Sequence, residues 1–206
     1  MKPLEIEVKF YLPDPEVMRN QILALGAESK GRFFEINFRY EDNEKNLMKK
    51  KSLLRLRKDT KTTLTFKSQP TEKEEDFKIL HELEVEVSDF QTMNSILESL
   101  GFQKEQIYEK WRETLVLGEI IFCIDTMPFG NFLEIEGTGF EIKNSAALLN
   151  LPWDNRILLN YLSIYEKIQK KFHLSFSDIT FENFKNVDIL FDRFFRSLQG
   201  TQHKQP

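Results

Sequence analysis

The sequence predicts an α+β fold: a single closed barrel of eight strands with helices packed outside it. Two observations carry this. The order strand, helix, strand, strand, strand occurs twice, starting once at Glu5-Ile6-Glu7-Val8-Lys9-Phe10 and again at Glu82-Leu83-Glu84-Val85-Glu86-Val87. Nearly every strand so read has one apolar and one charged face, which gives the helices a surface on which to bury their apolar stripes. Closure of eight strands also removes exposed sheet edges.

The elements follow in order. Residues 4–11 alternate apolar and charged, the period of a strand. Asp14-Pro15 supplies a cap and a first-position proline, and Gly26 a stop, for a helix whose face is spaced Val17, Ile22, Leu25. Strands are expected at 32–40, 52–58 and 62–68, with a polar loop at 41–51 and a tight turn at Asp59-Thr60-Lys61. A second loop, 70–76, leads to a strand at 81–87. Ser88-Asp89 caps a helix running to Gly101, whose end Ser99-Leu100-Gly101 matches Ala24-Leu25-Gly26 in the first half. Strands at 106–117, 119–126 and 131–137 are separated by Gly118 and by Met127-Pro128-Phe129-Gly130. Beyond residue 141 helical spacing returns, with Ile157, Leu158, Tyr161, Leu162, Tyr165 and Ile168 on one face. A further helix is expected over 178–198, aligning Phe184, Val187, Phe191, Phe194 and Leu198; its stripe packs on the barrel or, alternatively, forms a homodimer contact. Gly200 to Pro206 reads as a frayed tail. The chain is thus divided into a barrel domain, residues 1–170, and a helical extension with its tail, 171–206.

The 206 residues suffice for a real core, and 40% hydrophobic with 30% charged residues is an ordinary globular balance. A net charge of −4 provides no general attraction to nucleic acid or to an anionic membrane, so the expected partner is a small molecule held by a local cluster. Cys123, the one cysteine, lies in an apolar run and reads as a buried, inert thiol. The opening MKPLEIEVK is too charged for a signal peptide and no apolar run reaches membrane-spanning length, so a cytoplasmic setting is expected. There is no phosphate-binding Gly-x-x-x-x-Gly-Lys loop and no Gly-x-Ser-x-Gly elbow; His81, His173 and His203 are scattered, so no zinc signature is visible.

If the helices cover the apolar faces from outside, the charged faces point inward. Unpaired buried charge costs several kcal/mol per ion, so such an interior is a wet tunnel whose charges compensate one another or a ligand. The basic set is Lys9, Arg55, Arg57, Lys67, Lys110 and Arg112. The acidic set is Glu5, Glu7, Asp125, Glu134 and Glu136, with Glu82, Glu84 and Glu86 as a further group. Two glutamates two apart on a strand project side by side and resist ionising together unless a cation lies between them. Oxygen ligands without histidine suit Mg2+ or Mn2+. A divalent metal with many cationic side chains is what a polyphosphate needs. The competing reading is an internal ion-pair network that only holds the barrel together, a poor stabiliser for its desolvation cost.

These residues resemble the CYTH superfamily, the triphosphate tunnel metalloenzymes, which includes class IV adenylyl cyclases and thiamine triphosphatases. Glu5-x-Glu7-x-Lys9 looks like its ExExK signature, Leu54-Arg55-Leu56-Arg57 its LRxR strand, Phe66-Lys67 its lysine strand, and Glu82-Leu83-Glu84 its ExE strand. Lys110-Trp111-Arg112 resembles KxR, and Asp125 with Gly130-Asn131-Phe132-Leu133-Glu134-Ile135-Glu136 resembles the D…LGxFxEIE ending. Asn160-Tyr161-Leu162-Ser163-Ile164-Tyr165 is similar to the C-terminal SYxxLL. The chain departs from the common pattern at Phe38-Arg39-Tyr40-Glu41-Asp42 and at His81. The resemblance, over residues 4–165, implies an antiparallel tunnel and divalent-metal chemistry on a triphosphate. It implies metal at Glu5, Glu7, Glu134 and Glu136 with Asp125 helping, and phosphate at Lys9, Arg55, Arg57, Lys67, Lys110 and Arg112. Glu82 and Glu84 join the substrate set, and Lys9 and Glu7 are the expected catalytic groups. The activity implied is hydrolysis of inorganic, thiamine or nucleoside triphosphate to orthophosphate. The alternatives are cyclisation of ATP with loss of pyrophosphate and a non-catalytic polyphosphate or nucleotide sensor.

Overall fold

The structure, a computed structural model, describes residues 4–70 and 74–199. Three residues of the expected loop at 70–76, the tail from Gly200 to Pro206, and the Leu198 side chain lie outside the described residues. The strands are β1 (Leu4–Leu12), β2 (Glu28–Glu41), β3 (Ser52–Lys58), β4 (Thr62–Ser68), β5 (Lys78–Val87), β6 (Gln103–Leu117), β7 (Ile120–Met127) and β8 (Gly130–Glu136). The helices are α1 (Pro15–Ala24), α2 (Asn46–Lys49), α3 (Phe90–Ser99), α4 (Gly139–Leu148), α5 (Tyr161–Phe172), α6 (Phe181–Phe184) and α7 (Phe191–Gln199).

The eight strands close into a barrel in the order β1-β5-β4-β3-β2-β6-β7-β8, with β8 returning to β1. All pairs are antiparallel. The two halves exchange their first strands: β1 pairs with β8 of the second half and β5 with β4 of the first. β2, β5 and β6 each begin three or four residues before their expected starts. Backbone pairing explains the extra length: Glu28 is opposite Val116, Lys78 opposite Glu7 and Gln103 opposite Glu41, so ladder bonds hold residues whose polar side chains read as loop.

Local signals act as the sequence implies. Asp14 accepts from the backbone N–H groups of Glu16 and Val17, and Asp89 from that of Thr92. Thr138 and Glu141 form a reciprocal capping box at α4. In α1 the stripe is the i,i+4 pair Met18 and Ile22, both buried, whereas Val17 is exposed; the expected face is turned by one residue. The loop at 41–51 contains α2, whose first turn is held by the buried Glu41 carboxylate, accepting from Leu47 and Met48 N–H at 2.9 and 2.8 Å.

Three apolar clusters lie outside the barrel. α1 and α4 cover β1, β7 and β8 through Ile22, Ile142, Phe122 and Ile135. α3 covers β2 and β3 through Phe90, Leu97, Tyr40 and Leu56. The chain after residue 150 covers the remaining side, with Tyr165, Phe184 and Phe195 packed on Phe129 and Phe132. In place of one helix over 178–198 there are two, α6 and α7, with residues 185–190 between them. Ile179 is instead bound to the edge of β6, donating to Ile107 C=O at 2.8 Å and accepting from Glu109 N–H at 2.9 Å. The vacant edge of β6, where it runs past β7, wins over helical periodicity there, and Asn186-Val187-Asp188 are weak helix formers. Ile157 likewise pairs with Lys9 where β1 runs past β5. The division expected at residue 170 falls inside α5. Among the described residues no helix is long and apolar enough to cross a membrane.

Candidate functional site

Strand alternation sends one side chain in two into the barrel, where the walls enclose a cavity of about 810 Å³. Nine cationic and nine acidic side chains line it among the described residues, and no histidine does. The lining is therefore close to neutral as it stands.

One corner is acidic. Glu5 and Glu7 of β1 and Glu136 of β8 bring carboxylate oxygens within 4.8 Å of one another. Their electrostatics reflect the crowding. Burial, with Glu134, Glu7 and Glu5 nearby, outweighs Arg112 and pushes Glu136 up to about 7. Burial and the Glu7 charge raise Glu5. Glu7 is held below the usual range because, against its burial, Lys78, Lys9 and Lys67 favour the charged form. Lys78 Nζ lies 2.6 Å from Glu7 Oε1, and Lys67 is paired with Glu5. Burial alone would lower Lys78, but Glu7 and Glu134 raise it.

The opposite wall is cationic. Arg55 and Arg57 of β3 point inward beside Thr65 and Thr63 of β4. Glu84 accepts from Thr65 Oγ1 at 3.0 Å and lies 3.8 Å from Arg55 and 3.6 Å from Arg57. Glu82 lies 3.3 Å from Lys67. Glu86, by contrast, is exposed and paired with Lys61 at the surface. The Nε atoms of both arginines are buried without a hydrogen bond, although Arg57 Nε lies 3.4 Å from Asp59 Oδ2.

Lys110 and Arg112 of β6 complete the cationic side, and Asp125 lies behind them. Asp125 is fully buried and does not line the cavity. It accepts from Arg112 Nε at 2.7 Å, Arg112 Nη2 at 2.6 Å, Lys110 Nζ at 3.0 Å and the Tyr161 hydroxyl at 2.7 Å. Glu134 accepts from Lys9 Nζ at 2.5 Å and from Arg112. Burial would raise Glu134, yet Lys9, Arg112 and Lys110 hold it well below the carboxylate range. Of the five expected metal residues, Glu5, Glu7 and Glu136 are thus brought together, while Asp125 and Glu134 pair with the cations. Cys123 faces inward, buried, its thiol pushed well up by burial.

Five residues at the site take parts that were not anticipated. Glu35 is buried beside Lys110 at 3.5 Å and Arg112 at 4.0 Å. Lys78 neutralises Glu7. Arg39 and Lys51 add positive charge to the lining. Tyr161, read as a packing residue and as part of the SYxxLL-like stretch, also sits under Lys9, whose Nζ is 4.4 Å from its ring centroid. Period two would have found Glu35 and Lys78: the first shares its face with Arg39, the second with Glu82 and Glu84.

Glu35 yields a stability test. Burial opposes its charged form, but Lys110, Arg112, Arg57 and Arg55 bring it down from 4.5 to about 2. A depressed carboxylate stabilises the fold above its unfolded value and loses that contribution as pH falls through the folded one; here it is worth about 3 kcal/mol. Glu35→Gln is expected to be less stable by that order at pH 7, and the gap to wild type should close between roughly pH 4.5 and 2. Urea unfolding at a series of pH values measures it; a gap independent of pH would contradict the assignment.

Comparison with known proteins agrees with this geometry. Residues 3–151 match the family model described as CYTH domain. No curated protein sequence matches the chain. Among solved structures, the PH1012 protein of Pyrococcus horikoshii is 28% identical with a TM-score of 0.63, covering 76% of this chain and 96% of that one. An adenylate cyclase candidate from Vibrio parahaemolyticus has 18% identity and a TM-score of 0.71, covering 81% and 99%. The Hippeastrum protein HpAC1, an adenylyl cyclase candidate with a dominant triphosphatase activity, has 21% identity and a TM-score of 0.58, covering 79% and 95%.

Proposed function

Because the chain belongs to the CYTH domain family, we propose that it is a divalent-metal-dependent enzyme that hydrolyses a triphosphate and releases orthophosphate. The observation that carries this reading is the charge layout: nine cations balance nine acids around one cavity, with three carboxylates converging at one corner. A triphosphate entering alone would leave that balance strongly negative. A triphosphate entering with a divalent cation restores part of it.

The donor set at the acidic corner fits Mg2+ or Mn2+. It is all oxygen, and its members Glu5 and Glu136 are both raised by burial and by the neighbouring carboxylates. Bound there, such an ion supplies charge neutralisation and a water of lowered pKa. The chain's own residues do the rest. Arg55, Arg57, Lys67, Lys110 and Arg112 present donors to phosphate oxygens from three strands, and guanidinium forks match those oxygens two at a time. Charge that builds on the departing phosphate meets donors already in place, at no reorganisation cost. Asp125 and Glu35 lie behind Lys110 and Arg112 and aim them inward; Glu134 does the same for Lys9 and Arg112. In this reading Lys9 is a fixed cation beside Glu7, and Asp125 is an anchor for the cationic wall.

The test is product identification with Mg2+ or Mn2+ and, separately, tripolyphosphate, ATP and thiamine triphosphate. Orthophosphate supports hydrolysis, which the fold shared with HpAC1 favours as the first expectation. Cyclic AMP with pyrophosphate would replace it by cyclisation, and tight binding without product by a sensor. Arg57→Ala is expected to raise KM roughly tenfold, about 1.4 kcal/mol, with a smaller effect on kcat. An unchanged KM would remove Arg57 from the phosphate site.

A further inference from the structure

We propose that Lys78 is an exchangeable cation of this tunnel: it neutralises Glu7 in the metal-free protein and moves to the triphosphate when a divalent cation takes Glu7. The proposal rests on the triphosphate reading above and adds a residue and a coupling to it. Lys78 belongs to none of the recognisable motifs; it is the first residue of β5, directly across from Glu7 in the β1–β5 register. Its Nζ lies 2.6 Å from Glu7 Oε1, its side chain is 18% exposed, and it lines the cavity. Among the described residues Glu7 is its one ion-pair partner. Glu7 has no equivalent substitute: Lys9 is 3.8 Å away and is hydrogen-bonded to Glu134 at 2.5 Å instead.

Two cations cannot share one carboxylate oxygen at hydrogen-bond distance without strong repulsion. A divalent ion at Glu5, Glu7 and Glu136 competes with the Lys78 ammonium for the Glu7 charge and repels it, whichever carboxylate oxygen the ion takes. A lysine's four-carbon stem lets that ammonium move several ångströms with no backbone change. The wall it stands on faces the phosphate-binding side chains, so the displaced charge stays inside the tunnel. Lys67 is paired with Glu5 in a similar way, but it keeps Glu82 at 3.3 Å and is less completely released. The consequence is thermodynamic. Metal binding supplies a cation to the triphosphate and triphosphate binding vacates a ligand for the metal, so each tightens the other by the same factor.

The test compares wild type with Lys78→Met in the full chain. Mn2+ binding is measured alone by equilibrium dialysis. Binding of imido-bridged tripolyphosphate, a slowly hydrolysed analogue, is then measured by calorimetry at saturating Mn2+. Without its competitor, Lys78→Met should bind Mn2+ alone about tenfold tighter, and with Mn2+ present should bind the analogue about tenfold weaker. Lys78→Arg, which retains charge, should stay near wild type. If Lys78→Met does not fold by circular dichroism, Lys78→Gln, which keeps a donor to Glu7, serves the same comparison. Unchanged affinities, or weaker Mn2+ binding in the variant, would overturn the proposal while leaving the triphosphate reading standing. Wild type that bound neither Mn2+ nor the analogue would overturn both.

Discussion

Glu7→Gln is expected to lower metal-dependent turnover by roughly a thousandfold while the barrel stays folded. The two side chains have nearly the same shape, and Gln can still accept from Lys78. What is lost is one full negative charge at the corner where Glu5, Glu7 and Glu136 converge. Of those three, Glu7 is the one whose neighbours keep it ionised, because Lys78, Lys9 and Lys67 together overcome its burial. It therefore brings a full negative charge to the corner, for which an arriving cation competes with Lys78. The expected signature is a collapse of kcat/KM for orthophosphate release with a thermal unfolding curve close to wild type. Full activity in the variant would take Glu7 out of the mechanism; an unfolded variant would mean that its charge holds the barrel rather than the ion.

Asp125→Ala is expected to cost about 3–5 kcal/mol of stability, because removal of a buried charge leaves its partners uncompensated. Four hydrogen bonds converge on Asp125, from Arg112, Lys110 and Tyr161, at full burial. The deletion leaves Lys110 with Glu35 alone and Arg112 with Glu134 and the more distant Glu35, so the wall carries an excess of positive charge. Tripolyphosphate should restore much of the loss, since it supplies the missing negative charge from the cavity side. Asp125→Asn, which keeps the volume, allows Mn2+ affinity to be measured in a folded protein and is expected to leave it within a few-fold of wild type. Loss of Mn2+ binding with unchanged stability would return Asp125 to the metal set that the sequence suggested.

Much of this site was legible because strand period is short. Alternation at Glu5-Ile6-Glu7-Val8-Lys9 and at Leu54-Arg55-Leu56-Arg57 fixes which side chains share a face, and the helices decide which face is inside. The capping residues Asp14 and Asp89 located helix starts by chemistry that needs no distant partner. What was not legible depends on strands brought together by closure. Nothing near Asp125 in the chain reveals that Lys110 and Arg112, opposite it on β6, will claim both its oxygens. Lys78 was overlooked because its strand begins in a polar stretch, and Glu35 because it is a single charge between Phe34 and Ile36, although strand alternation places both on inward faces. The helix expected over 178–198 failed for the same reason: the open edge of β6 is a long-range fact, and it draws Ile179 into an extended bridge.

The central claim is that one channel, built from side chains of many strands, takes a triphosphate together with a divalent cation. The most direct measurement is manganese anomalous diffraction from a crystal grown with Mn2+ and imido-bridged tripolyphosphate. The account expects an anomalous peak within coordinating distance of Glu5, Glu7 and Glu136, and phosphate density against Arg55, Arg57, Lys110 and Arg112. Manganese or the anion found only on the outer surface of the barrel, with the channel holding water alone, would contradict it.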